Sequence, residues 1–162
     1  MGERKMNLSL MAEELERDEG VRLLAYTDMT GHLTIGVGRN LDDNPLTTEE
    51  RAVVGHDART QPIRKEDAAY LLTNDIKNIT LDLNLRMAWW KDLDEVRRRV
   101  LLNMAFNLGI TRLLNFKEML RWTQQGHYQA ASMCMLESIW ANQVGRRAER
   151  LAGMMRSGKV NP

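Results

Sequence analysis

Glu19, Asp28 and Thr34 share one short segment, ERDEGVRLLAYTDMTGHLTIGVGRN. An acid that can hold a proton, a second carboxyl that stays ionised and a hydroxyl that can hold water are the equipment for cleaving a glycosidic bond. Glu19 closes a helix-like stretch, where the helix dipole disfavours negative charge, and is the candidate for the protonated acid. Asp28 lies in a polar turn beside Thr27 and Thr30 and is the better placed of the two to remain ionised. Thr34, on the returning strand, projects a hydroxyl that can hold water beside Asp28. The same residues are also at home as solvated carboxylates and a strand-forming threonine, and spacing alone leaves that surface reading the stronger one.

Several short elements must position these groups. Leu8, Met11 and Leu15 repeat at helical spacing, Asn7 or Ser9 can cap the start, and Gly20 follows Glu19 as a stop. Residues 21–26 and 32–37 read as strands joined by the T-D-M-T-G turn, with G-V-G-R-N as the next turn, which makes a small meander. Thr47 with Glu50 is a capping-box pattern for a short helix that Gly55 stops, and residues 44–63 are otherwise loop-like. From Lys65 to about Arg86, Ala68, Leu71, Leu72, Ile76, Ile79 and Leu83 keep a helical period, although no Ser, Thr, Asp or Asn immediately precedes Lys65. A helix of that length in a small protein is expected to bridge two lobes. Further helical segments span 93–108, 116–124, 128–139 and 144–155, with Gly109, Gly126, Gly145 and Gly158 as breaks.

The chain has 162 residues, enough for one domain or two small lobes sharing a core, and 43% hydrophobic with 28% charged residues excludes wholesale disorder. Net charge is only +1, yet Arg97, Arg98, Arg99, Arg112, Arg121, Arg146, Arg147, Arg150 and Arg156 all fall in the second half. That distribution suits an anionic substrate or surface, and equally a set of solvated helix faces. Near-zero charge and the lack of a recognition motif argue against nucleic acid as a partner. The eleven methionines lie mostly on apolar helical faces as core filler.

Cys134 has no cysteine to pair with, and its M-C-M-L setting reads as a buried, inert thiol. His32, His56 and His127 lack the ligand spacing of a zinc hydrolase, so neither metal nor other cofactor is expected. The start lacks the apolar stretch of a signal peptide and no apolar run is long enough to span a bilayer, so no stable membrane anchor is expected.

The run D-E-G-x-R-L-x-x-Y-x-D-x-x-G-x-x-T-I-G-x-G, from Asp18 to Gly38, resembles the catalytic segment of the phage lysozymes of the T-even type, glycoside hydrolase family twenty-four. N-M-A-F-N-L-G at Asn103 to Gly109, W-A-N-Q-x-x-x-R-A-x-R at Trp140 to Arg150 and R-S-G at Arg156 resemble that family's helical lobe, in the same order. The resemblance implies an α+β, lysozyme-like fold: one domain over 1–162, with a small β-containing lobe at about 17–64. A helix at about 65–86 would join it to a helical lobe of 1–16 plus 87–162, with the active site in a cleft between them. It also implies a cofactor-free muramidase that cuts the β-1,4 bond between N-acetylmuramic acid and N-acetylglucosamine in peptidoglycan glycan strands. Glu19 would be the general acid, with Asp28 and Thr34 placing the water, most simply with inversion. Phe106 would line the cleft with Asn107 and Trp140 behind it, and Arg147 matches an arginine near the active site.

The chain departs from the family at several positions. Arg39 stands where the family has a histidine paired with an aspartate matching Asp75, so an Arg39–Asp75 pair that does not titrate near neutrality is expected. Asn40, Met119 and Cys134 replace a leucine, a serine and an asparagine at sugar-contacting positions. The rival readings are a non-catalytic peptidoglycan-binding or structural module on the same fold, and a transglycosylase using Glu19 alone. As an endolysin the protein would be a monomer that accumulates in the host bacterial cytoplasm and reaches periplasmic peptidoglycan through a membrane lesion made by a holin.

Overall fold

The computed structural model describes residues 6–160; the terminal residues 1–5 and 161–162, assigned above to the helical lobe, lie outside the described residues. The fold is α+β, with a three-stranded antiparallel sheet near the N-terminus and helices elsewhere. Backbone contacts group the described residues into two compact units, one of residues 8–77 and the other of residues 78–160 together with residues 6–7. The boundary falls inside the long helix Lys65–Arg86.

In the sheet-bearing unit, α1 (Leu8–Glu19) buries Met11, Glu14 and Leu15, whereas Leu8 and Leu10 stay exposed. Gly20 takes φ +75°, a left-handed conformation, and its N–H closes the last turn on the Glu16 carbonyl at 2.8 Å. The strands β1 (Arg22–Thr27), β2 (Leu33–Gly36) and β3 (Arg39–Asn40) pair in the order β1-β2-β3, a meander. The G-V-G-R-N segment, expected to be only a turn, contains β3. Gly36 at φ +65° and Gly38 at φ +67° reverse the chain so tightly that Arg39 already faces Ile35 and Asn40 faces Thr34.

Next, α2 (Thr48–Val54) opens on the capping box of Thr47 and Glu50 and closes on Gly55 at φ +82°. Although α3 (Lys65–Arg86) has no conventional residue before it, Asp67 accepts the Arg64 N–H at 2.9 Å and its guanidinium at 2.9 and 3.1 Å, so the cap reaches backward from the first turn. Ile35, Leu41, Leu46, Val54, Ala58, Ile63, Ala68 and Leu71 form this unit's core beneath the sheet.

The second unit contains a 3-10 turn at Ala88–Asp92 and then α4 (Glu95–Leu108), α5 (Ile110–Leu114), α6 (Lys117–Gln124), α7 (Tyr128–Leu136), α8 (Ile139–Val144) and α9 (Arg146–Ser157). Two short helices were illegible from periodicity: α5 starts directly at Gly109, and α8 begins at Ser138, whose hydroxyl accepts the Ala141 N–H at 3.2 Å. Helix α5 falls between the segments predicted at 93–108 and 116–124, and α8 between the ends of those at 128–139 and 144–155, each too short to repeat a period. Helix α7 packs chiefly on α9 and α6, and α4 on α5 and α9.

The arginines of this half divide between packing roles and exposed helix faces. Arg98 and Arg99 are only 6% and 2% exposed. Arg97 lies over the Tyr128 ring and donates to the Met155 and Arg156 carbonyls at 2.6 and 3.1 Å, holding the end of α9. Arg112, Arg121, Arg146 and Arg156 do remain exposed.

Candidate active site

Asp28 sits in the turn between β1 and β2, which its own backbone closes by accepting the Gly31 N–H at 3.0 Å and donating to the His32 carbonyl at 2.9 Å. Its two carboxylate oxygens are in different situations. Oδ1 accepts the Thr30 hydroxyl at 2.7 Å and the Thr30 and His32 N–H groups, each at 2.9 Å. Oδ2 faces the Thr34 hydroxyl at 3.4 Å. The Thr30 hydroxyl, followed by the His32 N–H, holds the Asp28 carboxyl below its ordinary range against a smaller opposing effect of burial. The expectation that Asp28 remains ionised is thereby given a cause.

Thr34 is buried on β2, opposite Tyr26 on one side and Asn40 on the other. Its single hydroxyl proton has two acceptors in reach, the His32 carbonyl at 3.1 Å and Asp28 Oδ2 at 3.4 Å. Donation to the nearer one leaves the oxygen lone pairs free to receive a proton from water, which is how a hydroxyl and a carboxylate hold one water together.

Glu19, the last residue of α1, lies against the turn between β2 and β3. A Cβ placed on Gly38 would meet its Oε2 at 3.0 Å and its Cδ at 3.2 Å, so the carboxyl rests on the bare glycine backbone. Gly38 is thus required twice, for its φ of +67° and for the room its missing side chain leaves. Glu19, Asp28, Thr34 and Asn40 all belong to the sheet-bearing unit.

Asn40 is turned to local use. Its Oδ1 accepts the Asp42 and Asp43 N–H groups at 2.9 and 3.0 Å and its Nδ2 donates to Asp43 at 3.0 Å, which builds the turn after β3. One residue before it, Arg39 is the centre of a buried network. It pairs with Asp75 at 2.9 Å, as expected, but also engages Glu50 through both terminal nitrogens at 2.7 and 3.1 Å.

The expectation that the Arg39–Asp75 pair would not titrate near neutrality is corrected. Burial, reinforced by the neighbouring Glu50 charge and only partly offset by Arg39, pushes Asp75 up to about 6. Burial also opposes ionisation of Glu50, yet hydrogen bonds from Arg39, Asn74 and the Thr47 N–H outweigh it and bring Glu50 down to about 2. Glu50 was legible only as a helix cap.

In the helical unit, Met119 and Cys134 line one open hollow with Phe116 and Ser138, whose rim carries Lys117, Glu118 and Glu137. Cys134 is half-buried there, not sealed in a core, and burial followed by the Glu118 and Glu137 charges raises its thiol above the ordinary range. Phe106 is half-buried on α4, and the adjacent Asn107 accepts the Trp140 indole N–H at 2.8 Å. Arg147 is buried at the start of α9 and donates to Asn103 at 2.9 Å. Among the described residues no group of three or more His, Cys, Asp or Glu could hold a metal ion, and no helix is long and apolar enough to cross a membrane.

Glu19 at the end of α1, Asp28 in the turn after β1 and the buried Thr34 on β2 thus lie in one unit of a lysozyme-like α+β fold and are of the residue types that glycoside hydrolysis uses. The phage lysozyme family matches residues 16–158, and the chain belongs to that family. It is 27% identical to probable T4-type lysozyme 1 of Dictyostelium discoideum over 95% of this chain and 98% of that protein. It is 26% identical to probable T4-type lysozyme 2 of the same organism over 94% and 97%. The pre-baseplate central spike protein Gp5 of Enterobacteria phage T4 is 29% identical over 93% of this chain, which spans 28% of that longer protein. Family membership supports a muramidase-like hydrolase with peptidoglycan as its substrate class.

Proposed function

We propose that this protein hydrolyses the β-1,4 bond between N-acetylmuramic acid and N-acetylglucosamine in peptidoglycan. The observation that carries the reading is the division of labour at Asp28: Oδ1 is held by three donors, and Oδ2 is left beside the Thr34 hydroxyl. Glu19 gives its proton to the bridging oxygen as the bond from that oxygen to the anomeric carbon breaks. A water held by Asp28 Oδ2 and Thr34 adds to the opposite face of that carbon and passes its proton to Asp28. Exchange with solvent returns one proton to Glu19 and removes one from Asp28. In this scheme the anomeric configuration inverts.

The test is clearance of outer-membrane-permeabilised Gram-negative cells, with Glu19→Gln and Asp28→Asn as controls and mass spectrometry of the fragments. Reducing muramic ends and their loss in Glu19→Gln are expected. Anhydro ends would replace hydrolysis by transglycosylation, and wall binding without fragments would leave a non-catalytic module. Proton NMR of fresh product reads the configuration, and a retained one would overturn inversion.

The same reading makes the protein an endolysin acting on host wall. Synthesis in the cytoplasm and escape through a lesion made by a holin follow from that role. Lysis on expression without any lesion-forming partner would sink it.

A further inference from the structure

We propose that Arg39 is a positioning residue for the active site: its buried guanidinium clamps the turn on which Glu19 rests and the short strand that registers Thr34. This role rests on the assignment of Glu19 as the acid.

The clamp is over-determined. Arg39 is 4% exposed, Glu50 2% and Asp75 7%. Nε donates to the Asn44 carbonyl at 2.8 Å, Nη1 to Asp75 at 2.9 Å and Glu50 at 3.1 Å, and Nη2 to Glu50 at 2.7 Å and the Pro45 carbonyl at 3.2 Å. A guanidinium has five N–H groups, and this one has five acceptors. The acceptors are themselves held. Asn74 donates to Glu50 at 3.0 Å and Asn44 to Asp75 at 3.3 Å, while the Thr47 N–H donates to Glu50 at 2.9 Å. The planar fork therefore ties residue 39 to the loop before α2, to α2 and to α3 at once.

What residue 39 controls lies beside it in the chain. Gly38, its neighbour, is the surface under the Glu19 carboxyl. Its strand partner is Ile35, and the next pair along is Asn40 with Thr34. A strand of two residues has too few ladder bonds to hold a register unaided, so the clamp supplies what the sheet lacks. Stability alone is a weak reason for such a network, because burying one cation with two carboxylates gains little over apolar residues of similar volume. Geometry is the stronger reason, since a shift of about 1 Å at a reacting group costs about 100-fold in rate.

The experiment compares Arg39→Lys, which keeps the charge and loses the fork, with Glu50→Gln, which keeps the shape and turns one of the two acceptor oxygens into a donor. Each is assayed well below its melting temperature, with kcat and KM measured separately and the carbon-13 signal of the Glu19 carboxyl, assigned by its absence in Glu19→Gln, followed by NMR. Arg39→Lys should lower kcat about 10–100-fold, leave KM within about twofold and move the Glu19 signal, with Glu50→Gln between it and the wild type. Gly38→Ala should share the loss, so that the double variant with Arg39→Lys falls less than the product of the two. Wild-type kcat and an unmoved Glu19 signal in folded Arg39→Lys, or in Glu50→Gln and Gly38→Ala if that variant does not fold, would overturn the clamp. Full activity in Glu19→Gln would overturn the acid assignment and this role with it, so the two failures read differently.

Discussion

Asp28 Oδ1 is held by three donors while Oδ2 faces the Thr34 hydroxyl, and in the proposed scheme that asymmetry has a kinetic consequence. The largest influence lowering its carboxyl is the Thr30 hydroxyl. Catalysis in the proposed scheme needs Asp28 ionised, so the acidic limb of the pH–rate profile reports it. Removing the donor in Thr30→Val makes the ionised form less favourable, and the acidic limb should move to higher pH while the rate at pH 7 changes little. An unmoved limb would show that the rate does not depend on Asp28 ionisation. Thr34→Val, which keeps the shape and removes the hydroxyl, should lower kcat by about tenfold or more with KM nearly constant, measured on soluble glycan strands. The candidates Glu19, Asp28 and Thr34 were singled out in the sequence by the motif from Asp18 to Gly38, not by their spacing alone. Glu50 as a partner of Arg39 was not, because eleven residues separate the two and only the fold brings their charged ends to 2.7 Å.

Among the elements, the two helices that frame the sheet-bearing core are held at their starts by different devices. Thr47 and Glu50 form a reciprocal box, and Asp67 alone reaches back over Arg64. Thr47→Ala should cost about 1 kcal/mol of unfolding free energy, within a range of about 0.5–2, measured by urea denaturation with an unchanged m-value. Asp67→Ala should cost about as much, because the Arg64 N–H loses its acceptor while the exposed Arg64 guanidinium is taken up by water. Long periodic elements such as α3 could be read to the residue, since many side chains vote for one period. The elements that escaped, β3, α5 and α8, span two to six residues. At that length no period repeats, and glycine dihedrals and the Ser138 cap decide the boundaries.

For the molecule as a whole, the buried network should leave a signature in the pH dependence of stability. Asp75 is raised from 3.8 to about 6, so the folded state binds its proton more tightly than the unfolded chain does. Its contribution is therefore fully present below about pH 4 and is lost as pH rises toward about 6. Asp75→Asn retains an acceptor for Arg39 and does not titrate, so its melting temperature relative to the wild type should rise across that window and level off above it. A constant difference would show that Asp75 is ionised throughout. Arg39→Met, by contrast, takes the shared partner from buried Glu50 and Asp75 and should cost about 3–5 kcal/mol by chemical denaturation at pH 7.

The sequence by itself determined the α+β class, the capped and glycine-closed helices, the meander and the residues able to do acid–base chemistry. Each of these rests on local rules: period, capping, φ preference and side-chain type. Only the tertiary structure decided that Gly38 seats Glu19, that Asp28 Oδ2 faces the Thr34 hydroxyl, and that Arg39 answers to Glu50 as well as Asp75. Those outcomes depend on distances between groups far apart in the chain and on how completely water is excluded from between them. Neither quantity is written in the spacing of residues.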